Sequence, residues 1–190
     1  MRLPLDDEDA TFSDGDWTGE RLERRSFVGC RFERCRFGET RLERWTLDDC
    51  TFVGCDLAVV RWGDSTLRDV HFVDCKLTGV DWTEAHDLTL SVRFTRCTLD
   101  YGSFIRLPLK GLRVEESTGA DVQFADCDLR EARFDRVRLD GASFLRCDLR
   151  GASFAGSSGV ALDPSCRLGK TTLGMQDALG HLHRLGIAVE

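Results

Sequence analysis

The sequence predicts an all-β solenoid, a chain that turns a corner every five residues and stacks coil upon coil. Three observations carry this. From Cys127 to Gly156 six five-residue blocks follow without a gap: CDLRE, ARFDR, VRLDG, ASFLR, CDLRG, ASFAG. The third residue of each block is large and apolar (Leu129, Phe134, Leu139, Phe144, Leu149, Phe154), and the first is small or medium and apolar (Cys127, Ala132, Val137, Ala142, Cys147, Ala152). A period of five fits neither a helix, at 3.6, nor a strand, at 2. It fits a stacked repeat in which the first and third positions of each block point inward. Finally, residues twenty apart match: Phe12, Phe32, Phe52 and Phe72 form one column, and Leu22, Leu42, Trp62 and Trp82 another.

These blocks resemble those of the pentapeptide-repeat family, whose pattern is A-D/N-L-x-x. The resemblance covers most of the chain. It implies a right-handed quadrilateral β-helix with four blocks, or twenty residues, per coil. Apolar side chains then stack on their neighbours above and below, each burial stabilising by ~1.5–3 kcal/mol. The backbone must pair from coil to coil, because a dry interior offers it no water.

Taken in order, residues 1–9 hold an acidic cluster, Asp6, Asp7, Glu8 and Asp9, expected as a solvated, frayed end. Residues 10–158 are expected to form the β-helix. Centres recur in steps of five from Phe12 to Trp82. The step from Trp82 to Phe94 is two residues too long, so 83–91 is expected to bulge from a corner as a small insertion. A less regular coil follows, with Gly119 at a centre and Pro108 beside Leu109. After Phe154 the pattern stops, and residues 159–190 are assigned to a C-terminal cap. Within it Met175, Ala178, Leu179, Leu182 and Leu185 have helical spacing, and Gly186 supplies a stop. An amphipathic helix there covers the open end of the stack. Its stripe Met175, Leu179, Leu182 and Leu185 is expected to pair with a second copy across a two-fold axis.

The chain has 190 residues and a formal net charge of −7, consistent with one acidic domain. No apolar run approaches the ~20 residues of a membrane helix, and the N-terminus lacks the features of a secretory signal. A cytoplasmic protein is expected. Of nine cysteines, eight lie two residues before a large apolar centre and Cys166 alone does not. That inward slot suits a free thiol, a small soft group. Stacked thiols ~4.8 Å apart with parallel Cβ vectors are poorly placed for disulfides. No His joins the Cys pairs at zinc-finger spacing, and Cys166, His181 and His183 are poorly spaced as ligands. No metal, cofactor or catalytic residue is therefore expected: the chain has no phosphate loop, H-E-x-x-H or G-x-S-x-G. Flat, patterned faces favour a macromolecular partner over a small ligand in a cleft.

Within the family, two stretches are similar to the topoisomerase-protecting Qnr/MfpA/AlbG-like group, and to its AlbG-like members in particular. They are HFVDCKLTGVDWTEA, His71 to Ala85, and the ending in which GVALDP leads through a basic stretch to a short helix and LGIAVE. The insertion is shorter than the group's loop. The resemblance implies a rod-shaped homodimer that imitates duplex DNA, binds DNA gyrase or topoisomerase IV and protects it from a poison, as antibiotic resistance or self-resistance. No direct nucleic-acid or membrane contact is implied. Duplex DNA as long as seven or eight coils carries on the order of 20 charges. A net charge of −7 thus excludes uniform mimicry and leaves a local acidic face. The expected partner-facing ridge is Asp16, Glu39, Asp56, Asp100, Asp121 and Asp140, and the expected contact loop is Glu84, His86 and Asp87. The alternative is a structural scaffold for another protein.

Overall fold

The computed structural model describes residues 3–86, 90–184 and 186–187. It is a right-handed, four-sided parallel β-helix of about seven turns, followed by one short helix, Met175–Arg184. Four columns of apolar centres define four faces. They begin at Phe12 (face 1), Trp17 (face 2), Leu22 (face 3) and Phe27 (face 4).

Face 1 is a continuous seven-stranded parallel sheet from Thr11–Ser13 to Arg133–Asp135, in the register Phe12↔Phe32↔Phe52↔Phe72↔Phe94↔Val114↔Phe134. The rings on it stack: Phe32 on Phe52 at 4.6 Å and Phe134 on Phe154 at 4.9 Å. Face 3 runs through Trp62, Trp82, Phe104, Phe124 and Phe144, also ring on ring. Face 2 pairs through single bridges, Asp16↔Arg36↔Asp56↔Lys76↔Thr98↔Thr118↔Arg138↔Ser158. The twenty-residue stride read from the sequence is therefore the coil-to-coil register.

At each regular corner one residue, two after the centre, takes a left-handed conformation; Arg34, Asp74, Arg96 and Asp121 are examples, with φ near +50°. The inward slot two residues before the centre has a second role beyond filling space. The Cys35 thiol donates to the Phe12 carbonyl, Cys75 to Phe52, and Cys127 to Phe104, each one coil below. Thr40, Ser65 and Ser157 do the same to Trp17, Leu42 and Phe134. The large Trp45 also fits this slot, because its indole N–H reaches the Leu22 carbonyl at 2.9 Å. Where the slot carries a donor, that donor satisfies a buried carbonyl, while Val60, Val80, Ala132 and Ala152 fill it with apolar volume alone. All nine cysteines are buried and free.

Three boundaries differ from the periodic reading. Asp6–Glu8 is not frayed: it forms a strand paired with Ser26–Val28, and Leu3 is buried. Asp7 stands where a centre belongs, and backbone pairing continues there without an apolar side chain. The insertion is narrower than 83–91. Trp82–Glu84 is a 3-10 turn capped by the Asp81 carboxylate, Ala85 and Leu90 are buried, and the Ser91 amide bonds to the Leu67 carbonyl. Trp82 to His86 and Leu90 to Ser91 thus keep coil-to-coil contact, His86 through its amide on the Ser65 carbonyl.

The stack also continues past residue 158. Leu162 pairs with Phe144, Arg167 with Asp148 and Thr172 with Ser153, and Val160, Leu162 and Cys166 are buried. These offsets are 18 or 19 residues, so a fixed period of twenty misses them. Cys166 is accordingly in the donor slot after all, with its thiol on the Phe144 carbonyl at 3.2 Å.

The helix ends as its sequence predicts. Gly186 has φ +76°, its N–H bonds to His183, and the Ile187 N–H reaches back to Leu182, the Schellman pattern that only a residue tolerant of positive φ closes readily.

Candidate interaction surface

Among the described residues no group of His, Cys, Asp and Glu is gathered as a metal site, and no helix is long and apolar enough to cross a membrane. The depressions on the surface are shallow. One, of about 490 Å³, lies on face 3 at Gly63, between Glu43 and Thr83, and is edged by Arg41, Arg61 and Glu84. The surface is otherwise a set of charged ladders.

Two of the corner ladders are partly neutralised from within. At the corner after face 1, Arg34 holds Asp14 through two bonds of 2.8 Å and Arg96 holds Asp74 in the same way. At the corner after face 3, Arg146 holds Asp126. These guanidinium bonds keep Asp14, Asp74 and Asp126 below the usual carboxylate range. Each pair is exposed and screened by solvent, so its worth to stability is small. Its larger effect is to cancel charge along that edge.

The six expected ridge residues share a side of the molecule but occupy three different columns. Asp16 and Asp56 precede their centres and alternate with Arg36 and Lys76. Asp16 is 2.5 Å from Arg36 and Asp56 is 3.8 Å from Lys76. Asp100 and Asp140 follow their centres, and Glu39 and Asp121 sit at the left-handed corner position. A single ridge therefore does not exist. Among the described residues Glu39, Asp100, Asp121 and Asp140 make no ion pair within 4 Å, and the corner column Gly19, Glu39, Val59, Gly79, Tyr101, Asp121, Gly141 holds no basic residue. The sequence-based list thus divides into two neutralised and four unneutralised carboxylates. The division depends on which side chain falls one coil above.

Of the expected contact loop, Glu84 faces Arg61 at 3.8 Å, and His86 is exposed with its amide bonded to the Ser65 carbonyl. Asp87 lies outside the described residues. Of the expected dimer stripe, Met175 is 78% and Leu179 37% exposed, Leu182 is half-buried, and Leu185 lies outside the described residues. Face 1 carries Arg93, Arg113 and Arg133 in direct register with His71 below them. Burial, and then the Arg93 charge, hold His71 below its ordinary pKa.

Two family models match the chain: "pentapeptide repeat region" over residues 25–104 and "pentapeptide repeats (8 copies)" over residues 120–156. No curated protein sequence matches significantly. Among solved structures, HetL, a pentapeptide repeat protein involved in heterocyst differentiation regulation from the cyanobacterium Nostoc sp. strain PCC 7120, is 18% identical, with 89% of this chain and 87% of that one covered and a TM-score of 0.60. Full-length QnrB1, a plasmid-mediated fluoroquinolone resistance protein, is 20% identical, with coverage of 96% and 100% and a TM-score of 0.47.

Proposed function

Since the chain belongs to the pentapeptide-repeat family, we propose that it is a non-enzymatic, protein-binding rod that engages DNA gyrase or topoisomerase IV and protects it from a poison. The resemblance of His71 to Ala85, and of the C-terminal ending, to the AlbG-like members of the topoisomerase-protecting group is what points to that partner. The observation that carries the binding mode is the edge of Glu39, Asp100, Asp121 and Asp140, four carboxylates without an ion pair among the described residues, beside a corner column that holds no basic residue, unlike Asp16 and Asp56 on the same side, which Arg36 and Lys76 offset. Such an edge meets a basic DNA-binding surface by charge complementarity, with a strong dependence on salt. The exposed Met175 and Leu179 on the terminal helix fit pairing with a second copy, which doubles the length of the rod. The cytoplasm, where the enzyme meets its poison, is the proposed place of action.

The test is a binding titration of the purified protein against gyrase at low and then higher salt, together with supercoiling assays with and without a poison. Reversing Asp100, Asp121 and Asp140 to Lys is expected to weaken binding and protection together. Reversing Asp16 or Asp56 is expected to do less, because Arg36 and Lys76 already offset them. No complex at low salt, with the fold intact, overturns the proposal. The extent of internal charge pairing favours one second reading, a scaffold for a different protein, and that outcome would select it.

A further inference from the structure

We propose that the edge between faces 2 and 3 carries a receptor for one arginine side chain of a protein partner, seated over Gly79 between Val59 and Tyr101. This deepens the reading above, from which it takes only that this edge meets a protein.

The corner residues are aligned by the backbone. The Glu39 N–H bonds to the Ala58 carbonyl, Val59 to Thr78, Gly79 to Asp100 and Tyr101 to Ala120, all at 2.8–2.9 Å. Successive corners therefore stand directly above one another. Val59 and Tyr101 are among the few large apolar side chains left exposed, at 47% and 65%. Gly79 lies between them with no side chain. A Cβ placed there would meet Val59 Cγ2 at 3.5 Å, so Val59 forms one wall of the gap. The walls rise from backbones two coil spacings apart, ~9–10 Å. One group packed between two surfaces needs ~7–8 Å, twice a van der Waals contact. The notch thus admits a single flat or linear side chain.

Its rim selects the occupant. Asp100 precedes Tyr101, and Asp81 follows Gly79 by two residues. Each has one carboxylate oxygen engaged, Asp100's by the Ala120 N–H one coil above and Asp81's by the Thr83 N–H and hydroxyl, and Arg61, in register below Asp81, is itself turned to Glu84 at 3.8 Å. Among the described residues neither makes an ion pair, and Glu39 and Asp121 extend the same sign along the edge. An acidic peptide or a nucleic-acid phosphate is repelled, and a purely apolar group would strip water from carboxylates without replacing it. An arginine satisfies both features. Its guanidinium stacks on the Tyr101 ring and donates to a carboxylate, while its stem lies against Val59.

The probe is a blocked pentapeptide, Gly-Ser-Arg-Ser-Gly, titrated against the intact ¹⁵N-labelled protein, with lysine and citrulline versions as controls. Amide shifts are expected to centre on Gly79, Asp100 and Tyr101, with the citrulline and lysine peptides at least about fivefold weaker. Gly79→Asn fills the notch with a residue that tolerates positive φ, and should abolish the response. Tyr101→Ala should abolish it too, while Tyr101→Phe keeps it. Shifts spread equally over Asp6, Glu8 and Asp9 would mean simple counter-ion binding and overturn the proposal, as would a response unchanged in a folded Gly79→Asn variant. Equal binding by the lysine peptide would overturn the choice of a guanidinium. If gyrase binds the parent and Gly79→Asn equally, the notch is wrong and the gyrase reading stands. If the arginine peptide binds the notch and gyrase does not bind, the notch stands and the gyrase reading falls.

Discussion

The Cys55 thiol donates to the Phe32 carbonyl at 3.3 Å, twenty-three residues back and one coil below. The same bond recurs up the stack from Cys, Ser and Thr. It explains why a slot that is merely small in the sequence is filled so often by a weak donor.

The first prediction isolates that bond. Cys55→Ala should lower stability by ~1–3 kcal/mol, since it leaves a buried carbonyl one partner short. Cys55→Ser should cost less, because Ser65 shows how a hydroxyl fits the slot, giving to Leu42 and accepting from Trp45. Urea unfolding measures both. An alanine variant as stable as the parent would make the slot a matter of volume alone.

A second concerns the core. Phe52 stacks between Phe32 and Phe72, at 4.6 and 5.2 Å. Phe52→Ala should cost ~3–5 kcal/mol by leaving a cavity in a column. In the native parent a thiol reagent should find all nine cysteines protected, and burial pushes the Cys50 thiol up to about 11, leaving little thiolate to react. Rapid labelling of any core thiol in the folded state would contradict this.

Val59 combines a β-branched side chain with φ +56° at an exposed corner. Left-handed geometry is costly for such a residue, so Val59→Asn should raise stability by roughly 1 kcal/mol. It should also weaken the arginine-peptide response, because the notch loses a wall. A lower urea midpoint would show that Val59 packs usefully against its neighbours.

Asp148 offers a test in acid. A side-chain hydrogen bond from Arg150 pulls its pKa down to about 2. The folded value lies below the unfolded one of ~3.9. Its contribution to stability is therefore complete above about pH 4 and is lost as pH falls through about 2. Carboxyl NMR should place the Asp148 midpoint near 2, and Arg150→Met should move it up toward the ordinary range. No movement would assign the shift to other neighbours.

The terminal helix can be tested without uncapping the stack. Leu179→Glu charges the exposed stripe and should convert a dimer to a monomer in light scattering, with the β-helix melt unchanged. Truncation from Gly174 should give monomer or aggregate. A Leu179→Glu protein that stays dimeric would place the interface elsewhere.

What the sequence determined by itself is the interior. A period of five decides which side chains point inward, and a stride of twenty decides which of them stack, so Phe12 to Phe154, Trp62 on Trp82 and the buried thiols are all legible in one dimension. Only the tertiary structure decided the rest. Asp6–Glu8, Leu90 and the coil from Val160 to Thr172 keep coil-to-coil pairing where the apolar pattern is absent or out of phase, because backbone groups pair whatever side chain they carry. The surface was the least legible part. Asp16 and Asp121 both belong to the expected ridge, yet one precedes its centre and is held by Arg36 in the next coil, while the other stands at a corner and makes no ion pair among the described residues. That difference, like the gap over Gly79, exists only once successive corners have been brought ~4.8 Å apart.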